Sequence, residues 1–309
     1  MRLALALPHY DFSFPDRRPA TVGDVVEYAR RAEAAGFDAV RVSDHLFLAL
    51  ERYGGSAERH GSPEAMTMLA AIASATSRVR LGPLVLCSAF RNPAVLGAEA
   101  RSVDDLSGGR LDLALGAGWY ADEYEAAGIP FGTPGERVAR LAAVAGALTG
   151  QPAPRPPLWI GSKGGPKIAR VIAEHADGWN IGWRITPEEF EARLATLHEA
   201  CERAGRDPGS VRLSVGQHCL LAGSERDLAA RYEDMQRWTP PGVLAGVSLA
   251  EHRQGTLAGT PTECAARIKA FEALGVEEIV LTPSSLPFAV HDDGQLAIIA
   301  DELLPLVRP

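Results

Sequence analysis

Cysteine is scarce and scattered in this chain. Cys87, Cys201, Cys219 and Cys264 are the only four in 309 residues, and none belongs to a CxxC pair. That excludes a disulfide framework or a structural zinc site as the organising device, and no metal is expected. Positive charge is not in excess: 31 basic residues face 39 acidic ones, a formal charge of −8. A nucleic acid or an anionic membrane surface is therefore excluded as the main partner, and a small-molecule ligand fits better. Apolar runs are no longer than a strand, and the N-terminus MRLALALPHY has no extended apolar core followed by a small-residue cleavage site. Neither a membrane span nor a signal peptide is expected, which places the protein in the cytoplasm. HExxH, GxSxG and Walker sequences are missing too, as are low-complexity tracts.

What the sequence does contain is alternation. Strand-like apolar segments at 2–7, 39–42, 79–86, 110–115, 157–160, 178–181, 211–220 and 277–281 are separated by amphipathic helical stretches. Thr133-Pro134-Gly135-Glu136, Thr186-Pro187-Glu188-Glu189 and Thr260-Pro261-Thr262-Glu263 each offer an N-cap threonine, a proline at the first helical position and a capping-box glutamate. Eight strands, each followed by a helix, with no polar linker to divide the chain, predict a single α/β domain over 1–309, a (β/α)8 TIM barrel. Two connections rich in Gly, Ser and Pro, 46–61 and 239–259, read as insertion loops. The first belongs over the C-terminal face; the second falls between the seventh and eighth helices, where a lid or an edge helix would sit.

Residues 157–180, PLWIGSKGGPKIARVIAEHADGWN, read as strand, glycine-rich turn and helix. Gly161, Ser162, Lys163, Gly164 and Gly165 let backbone N–H groups converge on one point at a helix start, with Lys163 or Lys167 to add charge. That is the chemistry of a phosphate site, and a merely tight strand-to-helix turn would use the same residues. The other strand ends place His9-Tyr10, Ser43-Asp44-His45, Cys87-Ser88, Gly116-Ala117-Gly118-Trp119-Tyr120, Trp179-Asn180 with Trp183, and His218 around the same mouth. Together they suit a flat, phosphate-bearing cofactor. Each also admits a structural reading: Asp44 as a helix cap beside a surface imidazole, Gly116-Ala117-Gly118 as an incomplete dinucleotide fingerprint, the tryptophans as loop packing, His218 as a core histidine and Cys87 as an inert thiol.

Several blocks resemble one family over nearly the whole chain, the bacterial luciferase-like flavin and deazaflavin oxidoreductases. They are Ala34-Ala35-Gly36-Phe37-Asp38 leading into Ser43-Asp44-His45, Leu81-Gly82-Pro83-Leu84-Val85 with Arg91-Asn92-Pro93, Leu106-Ser107-Gly108-Gly109-Arg110 into Gly116-Ala117-Gly118-Trp119, and Gly164-Gly165-Pro166 ending in Asp177-Gly178. The resemblance is greater to the branch that uses coenzyme F420 than to the branch that uses reduced FMN and oxygen. It implies hydride transfer between the deazaflavin and a small organic substrate, with Asp44 near the ring and His45 exchanging the accompanying proton. Cofactor contacts are expected from Asp44, Leu84, Val85, Cys87, Gly116, Ala117, Gly118, Gly161, Ser162, Lys163, Gly164 and Gly165, with a cis peptide at Leu84–Val85. His9, Trp119, Trp179, Trp183 and His218 are expected to form the substrate pocket. A homodimer and a reductase supplying reduced cofactor complete the expectation. An FMN-dependent monooxygenase and a non-catalytic flavin-binding protein are the alternatives. The chain departs from the sugar-phosphate dehydrogenases of the branch. It has Ala49 where they carry a tryptophan four residues after the histidine, and Trp119 where they carry a catalytic glutamate. That substrate class is not expected here.

Overall fold

The computed structural model describes residues 1–308. Its strands, in chain order, are β1 (Arg2–Ala6), β2 (Ala39–Val42), β3 (Phe47–Ala49), β4 (Arg59–Gly61), β5 (Arg80–Pro83), β6 (Leu86–Cys87), β7 (Leu113–Gly116), β8 (Leu158–Gly161), β9 (Gly178–Ile181), β10 (Arg212–Leu221), β11 (Leu257–Gly259) and β12 (Val276–Thr282). Nine of them pair in parallel in the order β5-β2-β1-β12-β10-β9-β8-β7-β6. The two ends of that path, β5 and β6, are halves of one traverse, and a bridge between Leu81 and Leu111 ties β5 toward β7. The result is an almost closed eight-traverse barrel at the eight predicted segments.

Alternation in the first strand shows how the wall is built. In β1, Leu3 and Leu5 point outward into the cluster that includes Val25 and Ala29 of the helix Val22–Ala34. Ala4 and Ala6 point the other way, into a separate cluster with Tyr10, Leu48 and Phe288. A strand with leucines on its helix face and alanines on its barrel face buries about 1.5–3 kcal/mol per leucine while leaving the interior room for polar groups. The three predicted helix starts hold: Thr133, Thr186 and Thr260 each accept from the amide three residues on and form capping boxes, with proline in the first turn.

Both insertions are ordered. Residues 46–61 contain the antiparallel pair β3–β4 with a 3-10 turn at Glu51–Tyr53. Residues 239–259 hold a short helix, Leu249–His252, and end in β11, which adds a strand beside β10 rather than an edge helix alone. The two insertions meet backbone to backbone. A Cβ on Gly242 would fall 2.1 Å from the Gly54 carbonyl oxygen, so this approach requires glycine.

Candidate active site

The insertions and the C-terminal strand ends enclose a cavity of about 690 Å³. Its floor is the break between β5 and β6. The Leu84–Val85 peptide is cis, as expected, and so is Gly182–Trp183, which the sequence did not signal. Val85 lies against two strand ends: a Cβ on Gly116 or on Gly161 would come within 2.5 or 2.3 Å of its methyl groups. Those glycines are therefore required by packing beneath the cavity.

One wall carries the histidine. His45 Nδ1 is 2.8 Å from Glu123 Oε2, and the other Glu123 oxygen accepts the Leu46 N–H at 2.6 Å. Glu123 is buried, in the short helix Ala121–Ala126. The carboxylate requires His45 to carry its proton on Nδ1, which leaves Nε2 as the ring atom available to a ligand. Trp119 stands edge-on to the same ring, with centroids 5.7 Å apart, and the Arg52 guanidinium lies 4.4 Å over the Trp119 face. Asp44 is held by Arg91 at 2.5 and 2.9 Å and accepts the Cys87 N–H at 2.9 Å. Burial works against the Arg91 charge, but the bridge to Asp44 raises its pKa overall. Burial also raises the pKa of the Cys87 thiol, so this cavity cysteine is a poor nucleophile.

Behind that wall runs a neutral relay. His9 Nδ1 donates to the Leu7 carbonyl at 2.8 Å, so its Nε2 accepts from the Ser43 hydroxyl at 2.7 Å. Ser43 Oγ in turn accepts from Tyr10 at 2.6 Å, and Tyr10 lines the cavity. Burial, with a smaller repulsion from His45, lowers the His9 pKa to about 3, so this ring is uncharged at neutral pH.

The opposite wall contains the glycine-rich turn. Gly164 and Gly165 have φ of +85° and +108°, a conformation that favours glycine. The helix Pro166–His175 follows, and its first bond runs from the Ala169 N–H to the Gly165 carbonyl at 2.9 Å. Ahead of that bond, the Ser162 N–H donates to the Asn180 carbonyl at 3.0 Å and the Gly164 N–H to Ser162 Oγ at 3.3 Å, which leaves the amides of Gly165, Lys167 and Ile168 for a ligand. Gly161, Ser162 and Lys163 line the main cavity. Gly164 and Gly165 instead face an adjoining groove that Lys163 shares with Arg193.

The fold brings most of the expected site residues to one cavity. Asp44, His45, Leu84, Val85, Cys87, Gly116, Ala117, Gly118, Gly161, Ser162, Lys163, Trp119, Trp183 and His218 all line the cavity. Two do not. Trp179 is 1% exposed and stacks on Phe190 at 5.6 Å, because it alternates with Asn180, whose amide points inward to Ser214. His9 lies behind Ser43 and supports the wall without lining the pocket. Glu123, Arg91, Arg52 and Arg184 were missed. Glu123 had one signal, an acidic residue in the first turn of the helix after the fourth traverse. It brings a carboxylate to the cavity wall four residues after Trp119.

The barrel thus carries a cavity of cofactor size at its C-terminal mouth, with the glycine-rich turn beside it. The family model for luciferase-like monooxygenases matches residues 1–278, and the chain belongs to that family. An F420-dependent glucose-6-phosphate dehydrogenase of Amycolatopsis mediterranei (strain U-32) is 27% identical, with 92% of this chain and 94% of the relative covered. Among solved structures, an F420-dependent secondary alcohol dehydrogenase in complex with an F420-acetone adduct superposes with a TM-score of 0.75 at 19% identity, covering 100% of this chain and 99% of that one. A monooxygenase from Streptomyces bottropensis gives 0.74 at 22% identity, covering 99% of each. Among the described residues no helix is long and apolar enough to cross a membrane, and no cluster of three or more His, Cys, Asp or Glu could hold a metal ion.

Proposed function

We propose that this protein is an F420-dependent oxidoreductase acting on a small organic substrate. The observation that carries the reading is the His45–Glu123 pair: a histidine fixed in one tautomer by a buried carboxylate, with Nε2 left toward a cavity that reaches the glycine turn. Relatives named for F420 support the deazaflavin over FMN.

The residues fit such a group. Val85, Gly116 and Gly161 form a smooth floor on which a flat ring would rest, and Ser162, Lys163 and the free amides of the following turn would hold its phosphate. When bound, the deazaflavin supplies two-electron hydride chemistry. The protein contributes the rest. His45 Nε2 gives or takes the proton that accompanies the hydride, and Glu123 holds the ring at the orientation and charge this requires. Asp44, clamped by Arg91, positions the Cys87 amide at the cavity edge. Trp119, Trp183 and the two insertions exclude water. Reduced cofactor would come from a separate reductase, and the protein would pair as a homodimer, which light scattering checks.

Fluorescence titration with oxidised F420 and with FMN at matched salt tests the assignment. Selective micromolar or tighter F420 binding, roughly −8 kcal/mol or better, is the expected result. A preference for FMN moves the protein to the oxygen-using monooxygenases, a reading that the Streptomyces bottropensis neighbour favours.

A further inference from the structure

The cavity carries charge of one sign that the protein does not neutralise. Its two carboxylates are taken, Asp44 by Arg91 and Glu123 by His45. Its three cations, Arg52, Lys163 and Arg184, have no carboxylate within 4.0 Å among the described residues.

Arg184 stands apart from the other two. Lys163 Nζ donates to the Trp183 carbonyl at 3.0 Å, and Arg193 donates to the Lys163 carbonyl. Burial, then the charges of Arg193 and Arg52, lower the Lys163 pKa against the pull of Glu189, with Arg193 beside Lys163 at the glycine turn and Arg52 on the Trp119 wall. Arg184 is lowered by burial against the pull of Tyr232, on the helix that precedes residues 239–259, and it in turn lowers His218 and His252. His218 lies between the two ends: burial and then Arg184 and, less strongly, Lys163 bring its pKa to about 3.

The backbone sets Arg184 in place. Its φ is +55°, in the left-handed region that side chains with a Cβ avoid unless their surroundings impose it. Gly255 of the second insertion packs against this backbone, where a Cβ would come within 3.2 Å of the Arg184 carbonyl carbon. Phe288, another of the three non-glycine residues with positive φ, also lines the cavity. Arg184 stays open to solvent at the cavity wall, in a left-handed conformation and with no carboxylate within 4.0 Å, so its guanidinium is free to meet a ligand there.

We propose that Arg184 binds an anionic group, a carboxylate or a phosphate, on the organic substrate, whose apolar body lies against Trp183, Phe288, Leu244 and Val247. His218 adds an acceptor. Its Nδ1–H donates to the Ser284 carbonyl at 2.8 Å, so Nε2 accepts from a hydroxyl or amine of the same molecule. The substrate class is a small amphipathic acid. The word substrate rests on the oxidoreductase reading; the anion site does not. Either cofactor also carries a phosphate, so the test separates the two sources.

Phenylacetate, phenyl phosphate and neutral phenylacetamide are titrated calorimetrically into the cofactor-free protein, and F420 and its phosphate-free chromophore are titrated in parallel. Wild type is expected to prefer the acids by about 10- to 100-fold. Arg184→Gln should lose that preference, Arg184→Lys keep part of it, and Lys163→Gln keep it while weakening F420. Arg184→Gly, which accepts positive φ, gives the same readout where the glutamine variant fails to fold. A wild type that does not distinguish acid from amide overturns the proposal. So does a fall in the ratio of F420 to chromophore affinity in Arg184→Gln, which assigns Arg184 to the cofactor. If neither F420 nor FMN binds while the acid preference stands, the redox reading fails and the anion site survives.

Discussion

In the barrel interior, Arg41 reaches Glu278 at 2.8 Å and Asp112 at 3.0 Å, and Arg80 closes on Asp112 at 2.7 Å. At the mouth, Arg52, Lys163 and Arg184 face the cavity with no such partner among the described residues. Arg41 is buried, whereas the three cations at the mouth remain exposed to solvent. Inside, burial would discharge Arg41, but Glu278 and Asp112 raise the guanidinium pKa overall, and Arg41 brings Asp112 down to about 2 against the effect of burial. At the mouth, partial desolvation lowers Lys163 and Arg184, and neither the Glu189 charge near Lys163 nor Tyr232 near Arg184 outweighs it. Buried charge alone therefore does not mark a site; charge that the fold leaves uncompensated does.

The comparison breaks if function depends on the interior network or if the mouth proves to be only structural. The largest effect is expected from Glu123→Gln. The amide cannot hold His45 as the carboxylate does, and single-turnover reaction with an acid substrate should slow about 10²- to 10⁴-fold while the melting temperature changes little. An unchanged rate would make His45 a bystander. Next, Arg41→Met leaves Glu278 buried and short of a cation. Urea denaturation should show a loss of about 3–5 kcal/mol, with F420 affinity of the folded protein intact. A loss under about 1 kcal/mol would mean that the interior network is not the stabilising element the comparison takes it to be.

Acid provides a sharper contrast. His9 and His218 are held neutral with pKa values near 3 against an ordinary 6.5. The unfolded chain then binds more protons than the folded one between about pH 6.5 and 3. Stability is fully present above pH 6.5 and is lost on acidification, by up to about 1.4 kcal/mol per pH unit for each ring. His9→Gln should flatten the slope in that window, measured by denaturation at a series of pH values; an unchanged slope would show that His9 is not the titrating group. The smallest effect belongs to Cys87. Its raised pKa predicts slow alkylation at pH 8 and an unchanged F420 affinity for Cys87→Ser.

The architecture was legible because its signals are local. Apolar strands, TPxE helix starts and the glycine turn each announce themselves within a few residues, and MRLALAL already separates the helix-facing leucines from the barrel-facing alanines of β1. The contacts that make the site chemical are long-range. Glu123 meets His45 across 78 positions and Arg91 meets Asp44 across 47, and nothing in the sequence spacing ties either pair together. Trp179 was misplaced for a reason that strand alternation supplies: with Asn180 turned into the barrel, its neighbour had to face the helices. Arg184 was illegible because its importance comes from having no partner, which only the folded chain reveals.

The most direct measurement is the F420 affinity of wild type, Lys163→Gln and Arg41→Met, read by fluorescence at two salt concentrations. Binding should weaken about tenfold in Lys163→Gln, with a shallower salt dependence, and stay at the wild-type value in folded Arg41→Met. Equal affinities in wild type and Lys163→Gln, or no F420 binding to any of the three, would contradict the assignment of the mouth as the deazaflavin site.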